Sequence, residues 1–163
     1  MNILVPVDFS DMTGSVAHMS EILPGAHEGR IVVMHVLPAR HRETPERLAD
    51  MHPKEERQLS ALVDSLQRRG FRAEGHLTQG DPVHEILDAT EQHEIDMVIM
   101  GSHGHNALYE LVIGSVSEGV LHRTDRPVLI VPGPKRKKPH SHETEGIHFR
   151  KSTRTESQHE HAN

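Results

Sequence analysis

The chain has 163 residues, enough for one ordinary domain with its own core, and no cysteine, which excludes a disulfide framework, a thiolate nucleophile and a thiolate zinc site. Its net charge of −6 is unevenly placed: residues 1–133 carry 11 Lys and Arg against 20 Asp and Glu, whereas residues 134–163 carry 7 against 4. So acidic a body repels polyanions, and nucleic acid is not an expected partner for it.

The first predicted strand is Ile3–Val7. No basic residue precedes it and Asp8 stops it well short of a signal peptide, so a soluble cytoplasmic protein is expected. Ser10 or Asp11 caps a helix reaching about Leu23, with Val16, Met19, Ile22 and Leu23 as its sheet-facing set, and Pro24-Gly25 ends it. Arg30–Leu37 (R-I-V-V-M-H-V-L) is the second strand. The polar stretch Arg40–His52 reads as a solvated connector or, alternatively, as a lid. From about Pro53 to Arg69, Leu59, Leu62, Val63 and Leu66 recur at helical spacing, and Gly70 is a natural C′ residue. Arg72–Thr78 alternates polar and apolar residues as an edge strand does. Asp81-Pro82 combines an N-cap with a proline at the first helical position, and Val83, Ile86 and Leu87 form the buried stripe that follows. Asp96–Met100 is the fourth strand, a last helix runs from Gly114-Ser115 to about His122, and Val128–Val131, bracketed by Pro127 and Pro132, is the fifth strand. No run approaches the roughly 18 apolar residues of a membrane span.

This alternation predicts an α/β protein: a single doubly wound open sheet of five parallel strands in the order 3-2-1-4-5, with helices on both faces. The continuous apolar character of the first, second and fourth strands puts them at its centre. In such a sheet ligands are taken where the winding reverses, here between the C-terminal ends of the first and fourth strands. Pro6–Ser10 and the residues after Met100 are therefore the places to seek function. The domain is expected to span residues 1–133. Residues 134–163 hold too few apolar side chains to offset their ordering entropy, and a flexible basic, His-rich tail is expected.

The most specific pattern is Gly101-Ser102-His103-Gly104, then nine residues, then Gly114-Ser115. Glycines after a strand allow positive φ and close approach of backbone to a bulky anion. Gly114-Ser115, at a helix start, offers N–H groups and a hydroxyl to phosphate oxygens. The plain alternative is that both glycine pairs are turns and Ser115 only a cap.

Gly101, Gly104, Gly114 and Ser115 match the G-x2-G-x9-G-(S/T) signature of the ATP-binding branch of the universal stress proteins, which the chain resembles from residue 1 to about 133. I-L-V-P-V-D-F-S, V-V-M-H-V-L, Gly80-Asp81-Pro82, D-M-V-I-M-G-S-H-G and R-P-V-L-I-V-P carry the rest of the likeness. The resemblance implies a nucleotide-sensing regulator of the stress response that binds ATP with Mg²⁺. It implies adenine and ribose against Pro6, Val7, Asp8 and Val36, with Met100 and Gly101 as walls. Gly104, His105, Gly114, Ser115 and Val116 would hold the phosphates. His105 departs from the pattern, since that position is often basic in the family, and a neutral imidazole is a weaker phosphate partner.

Other functions fit less of the sequence. No G-x-x-x-x-G-K-[ST] occurs, and no glycine lies in Pro6–Ser10 for a dinucleotide fingerprint. Slow ATP hydrolysis would need a group near the γ-phosphate, for which His103, His105 and Glu118 are the candidates. Aromatic residues are limited to Phe9, Phe71, Tyr109 and Phe149, too few for base-stacking platforms. Sixteen histidines raise metal binding, with His140/His142 and His159/His161 as weak chelating pairs or plain solvated tail. The Lys135–Lys138 run would suit an acidic partner or a membrane surface, or simply solvation. The apolar fifth strand at the sheet edge is expected to pair with its copy in a homodimer, or else to be covered by the tail; the resemblance favours the homodimer. A dimeric regulator acting without nucleotide stays open on these residues, and no protein partner is identified by them.

Overall fold

Short runs of branched apolar residues make strands when both faces of the sheet are covered, and the central strands here have fully buried cores between half-buried or exposed ends. The computed structural model describes residues 1–38, 44, 47, 52–102 and 113–132. Most of the Arg40–His52 connector and all of the 134–163 tail lie outside the described residues. In chain order the elements are β1 (Asn2–Pro6), α1 (Thr13–Ile22), β2 (Arg30–Pro38), α2 (Pro53–Arg68), β3 (Ala73–Gly80), α3 (Pro82–Gln92), β4 (Met97–Gly101), α4 (Ser115–Leu121) and β5 (Val128–Val131). The strands form one five-stranded sheet in the order β3-β2-β1-β4-β5, and every pairing is parallel.

Successive strand residues point to opposite faces, and two cores follow. Val32, Leu4 and Val98 lie side by side across β2, β1 and β4 and join Ile86 and Ala89 of α3 and Val120 of α4 in one buried cluster. Ile3, Val5, Val33 and Ile99 point the other way, against Val16 of α1 and Leu59 and Leu66 of α2. Thus α1 and α2 cover one face, and α3 and α4 the other.

Local signals set the helix ends. After α2 the chain closes in a Schellman motif: the Phe71 N–H donates to Leu66 O at 3.2 Å and the Gly70 N–H to Gln67 O at 2.9 Å, with Gly70 at φ +89°. Leu66 and Phe71 meet in the same core, the apolar contact that accompanies this motif. At the start of α3, Asp81 Oδ1 accepts from the His84 N–H at 3.0 Å, a cap worth about 1 kcal/mol. One expectation for α1 is corrected. Val16, Met19 and Leu23 pack inward, but Ile22 is 58% exposed, because six residues past Val16 a helix has turned to its far side. Among the described residues no helix is long and apolar enough to cross a membrane.

Candidate functional site

β1 feeds α1 on one face of the sheet, while its neighbour β4 feeds α4 on the other, so the chain diverges above these two strands and leaves a crevice. The parallel register Ile3↔Met97 and Leu4↔Val98, continued to the strand ends, sets Pro6 and Val7 level with Met100 and Gly101.

On the β1 side a tight turn is held by hydrogen bonds. The Val7 N–H donates to Met34 O at 2.8 Å. Val7 O lies 2.7 Å from His35 Nδ1, and since a carbonyl only accepts, that nitrogen carries the proton. Phe9 adopts φ +57°, a left-handed conformation that costs an L-residue roughly 1–2 kcal/mol; its ring lies against His35 with centroids 4.5 Å apart. The exposed Asp8 side chain accepts from the Ser10 N–H at 3.0 Å, an Asx turn. Ser10 Oγ in turn accepts from the Met12 N–H at 3.3 Å. The turn engages Ser10, whose hydroxyl and carbonyl accept from Met12 and Thr13, and α1 begins at Thr13, later than either expected cap.

On the β4 side Gly101-Ser102 meets Gly114 and the start of α4. The Ser102 N–H donates to Val131 O at 2.8 Å, and the Gly114 N–H donates to Ser102 O at 2.6 Å. The buried Ser117 hydroxyl donates to Gly101 O at 2.8 Å, fastening the first turn of α4 to the end of β4. Gly101 and Gly114 are therefore neighbours in space. Gly101, after the strand, does not use the positive φ open to it. Gly114 sits at φ −65°, ψ 151°, and among the described glycines only Gly25 and Gly70 have positive φ. What remains for Gly114 is the absence of a side chain at an open helix start, beside the exposed Ser115.

Met100, Val36 and Val116 pack on the same core, on the α3 and α4 side of the sheet, and form an apolar wall. Val7 differs: its side chain is in the opposite core and both its backbone polar groups are used, so it frames the turn. Gly104, His103 and His105 lie outside the described residues. Glu118 faces His122 Nε2 at 3.9 Å on the exposed side of α4. Two residues that position the site were not anticipated. His35 was signalled only as the polar interruption of an apolar strand, and Ser117 by nothing beyond its place in a first helical turn.

A separate hollow of about 310 Å³ lies at the other end of the sheet, lined by Arg30, Gln67, Phe71, Arg72, Ala73 and Glu74. Its guanidinium groups are engaged. Arg30 pairs with Glu74 at 3.0 Å and donates to His93 O at 2.8 Å, and Arg72 Nε donates to Gly29 O at 2.9 Å.

The profile of the Universal stress protein family matches residues 1–132. This chain belongs to that family. Among universal stress proteins, MJ0577 of Methanocaldococcus jannaschii is 36% identical over 73 residues, which span 45% of this chain and 45% of that protein. The solved structure of MJ0577 superposes with a TM-score of 0.69 at 26% identity, over 83% of this chain and 97% of that one. Two further universal stress proteins share the fold. One, solved in complex with cAMP, gives a TM-score of 0.60 at 20% identity over 81% of this chain and 96% of that one. The other, from Archaeoglobus fulgidus in complex with dAMP, gives 0.58 at 23% identity over 80% and 96%.

Proposed function

We propose that this universal stress protein binds ATP in the crevice between the ends of β1 and β4 and acts as a nucleotide-sensing regulator of the stress response in the cytoplasm. The observation that carries the reading is the convergence of Gly101 with Gly114-Ser115 beside the apolar wall of Val36, Met100 and Val116. A base and ribose would lie against Pro6, Val36 and Met100, with the Asp8 carboxylate at the exposed rim to accept from ribose hydroxyls. The phosphates would lie along Gly101, Gly114, Ser115 and Val116, where no Cβ at either glycine obstructs them. Nucleotides held by fold neighbours, cAMP in one and dAMP in another, support the ligand class.

Among the described residues no group of three or more His, Asp or Glu side chains is placed to hold a metal ion. Mg²⁺ would therefore arrive with the triphosphate and be held mainly by its oxygens, as this ion usually is.

Titration calorimetry of nucleotide-free protein with ATP, ADP and AMP in Mg²⁺ tests the reading. Micromolar ATP binding that weakens in ADP and again in AMP is the expected result; heat from none of them would remove the crevice as a nucleotide site. A homodimer through β5 belongs to the same proposal. β5 is an outer strand whose Val128, Leu129 and Ile130 are only half-buried, and a second copy would cover that edge. Sedimentation velocity at micromolar concentration is expected to show a dimer. A monomer would leave β5 a simple exposed edge.

A further inference from the structure

β3 is an edge strand with two unlike faces. Ala73, Gly75 and Leu77 turn toward α2, where Leu59 and Val63 pack over Gly75. Glu74, His76 and Thr78 turn toward α3, where polar contacts hold them. Thr78 Oγ1 donates to Glu85 Oε2 at 2.9 Å. The His76 ring stands edge-on to the His93 ring with centroids 5.0 Å apart. His93 Nδ1 lies 3.5 Å from Glu74 Oε1, the oxygen that Arg30 also holds at 3.0 Å. His93 is the C-cap of α3, and its carbonyl takes a hydrogen bond from Arg30 at 2.8 Å. The last turn of α3 is thus docked on the sheet through two imidazoles, one carboxylate and one guanidinium.

We infer that the His76–His93 pair is a proton-operated latch: with His76 neutral the C-terminal turn of α3 stays docked on β3, and a proton on His76 releases it. The charged and titratable groups facing His76 are Glu74 on its own strand, His93 and Glu85 on α3, and Arg30 of β2 acting through Glu74. An imidazolium at His76 is half-buried, so part of its hydration is lost, and it stands edge-on to the His93 ring. Glu74 does little to offset this, because its carboxylate is already shared between Arg30 and His93. Relief comes by swinging one ring into water. Turning the His93 ring outward gives up its contacts with His76 and Glu74 and leaves the end of α3 tied here by the Arg30 bond to the His93 carbonyl.

The direction of the His76 equilibrium agrees. Burial first, then the His93 charge, lower its pKa below the usual 6.5, against smaller opposite pulls from Glu85 and Glu74. The folded chain then binds fewer protons than the unfolded one, so this stabilisation is complete above about pH 6.5 and is lost as pH falls below it toward the folded value. The device is independent of nucleotide binding.

Amide hydrogen exchange on the full chain at about pH 7.5 and about pH 5, corrected for intrinsic exchange, reads the latch at residues 89–95. Protection there is expected to fall more than in β1 on acidification. His76→Gln should abolish that difference, and His84→Gln, in the exposed His84–Asp88 pair of the same helix, should leave it. Protection at 89–95 that is insensitive to pH, or an acid loss that persists in folded His76→Gln, overturns the inference. If His76→Gln does not fold, the ring-proton titration of His76 in the wild type decides. A midpoint below 6.5 that tracks the loss of protection supports the latch, and one at or above 6.5 overturns it.

Discussion

Gly114→Val is expected to lower ATP affinity on the order of 100-fold, about 3 kcal/mol, while the domain stays folded. The backbone at Gly114 is extended, at φ −65° and ψ 151°, a conformation that a β-branched residue accepts without strain. Its N–H bond to Ser102 O is a backbone interaction and survives the change. The folding cost is limited to a poorer helix cap, roughly 1 kcal/mol. The two methyl groups would instead project from the helix start where phosphate oxygens are proposed to lie. Calorimetry beside circular dichroism makes the comparison. An unchanged ATP affinity in a folded variant would mean that the phosphates, if bound at all, lie elsewhere.

The largest effect on stability is expected at Leu4→Ala, a loss of roughly 3–4 kcal/mol, in the upper part of the range for such truncations. Leu4 is fully buried at the middle of the central strand, flanked in register by the equally buried Val32 and Val98. Both neighbours are fixed by sheet hydrogen bonds, and Ile86 and Val120 close the layer from α3 and α4. Such a site collapses little, so most of the vacated volume remains as a cavity. Against a typical domain stability of about 5–15 kcal/mol this is a large share. Urea unfolding should show a lower midpoint with an unchanged slope. A loss under about 1 kcal/mol would mean that the helices close over the gap.

The strands were legible because burial on both faces leaves an unbroken apolar run, as in Ile3–Val5 and Ile31–Met34. The sheet order then followed from right-handed crossovers and short connections. The start of α1 was less legible: Ser10 and Asp11 look like caps, yet the Asx turn at Asp8 and the left-handed Phe9 come first and engage Ser10. That turn depends on His35, whose partner Val7 O lies on another strand and carries no side-chain signature. The site was visible as a spacing of glycines but not as a geometry. The sequence of Gly114 is equally compatible with a left-handed and an extended backbone, and the structure adopts the second. Ile22 shows the same limit in the core, where composition suggested burial and helical phase decided otherwise.

The bond from the Gly114 N–H to Ser102 O also separates the fold from whatever connects these two residues. It holds Ser102 and Gly114 at one point on the sheet whatever the length of chain between them. Doubling the length of such a closed loop costs only about 0.6 kcal/mol in chain entropy. Insertions between the two residues are therefore expected to cost the fold little. A fold that closes on itself in this way can take in new sequence at that point without having to learn to fold again.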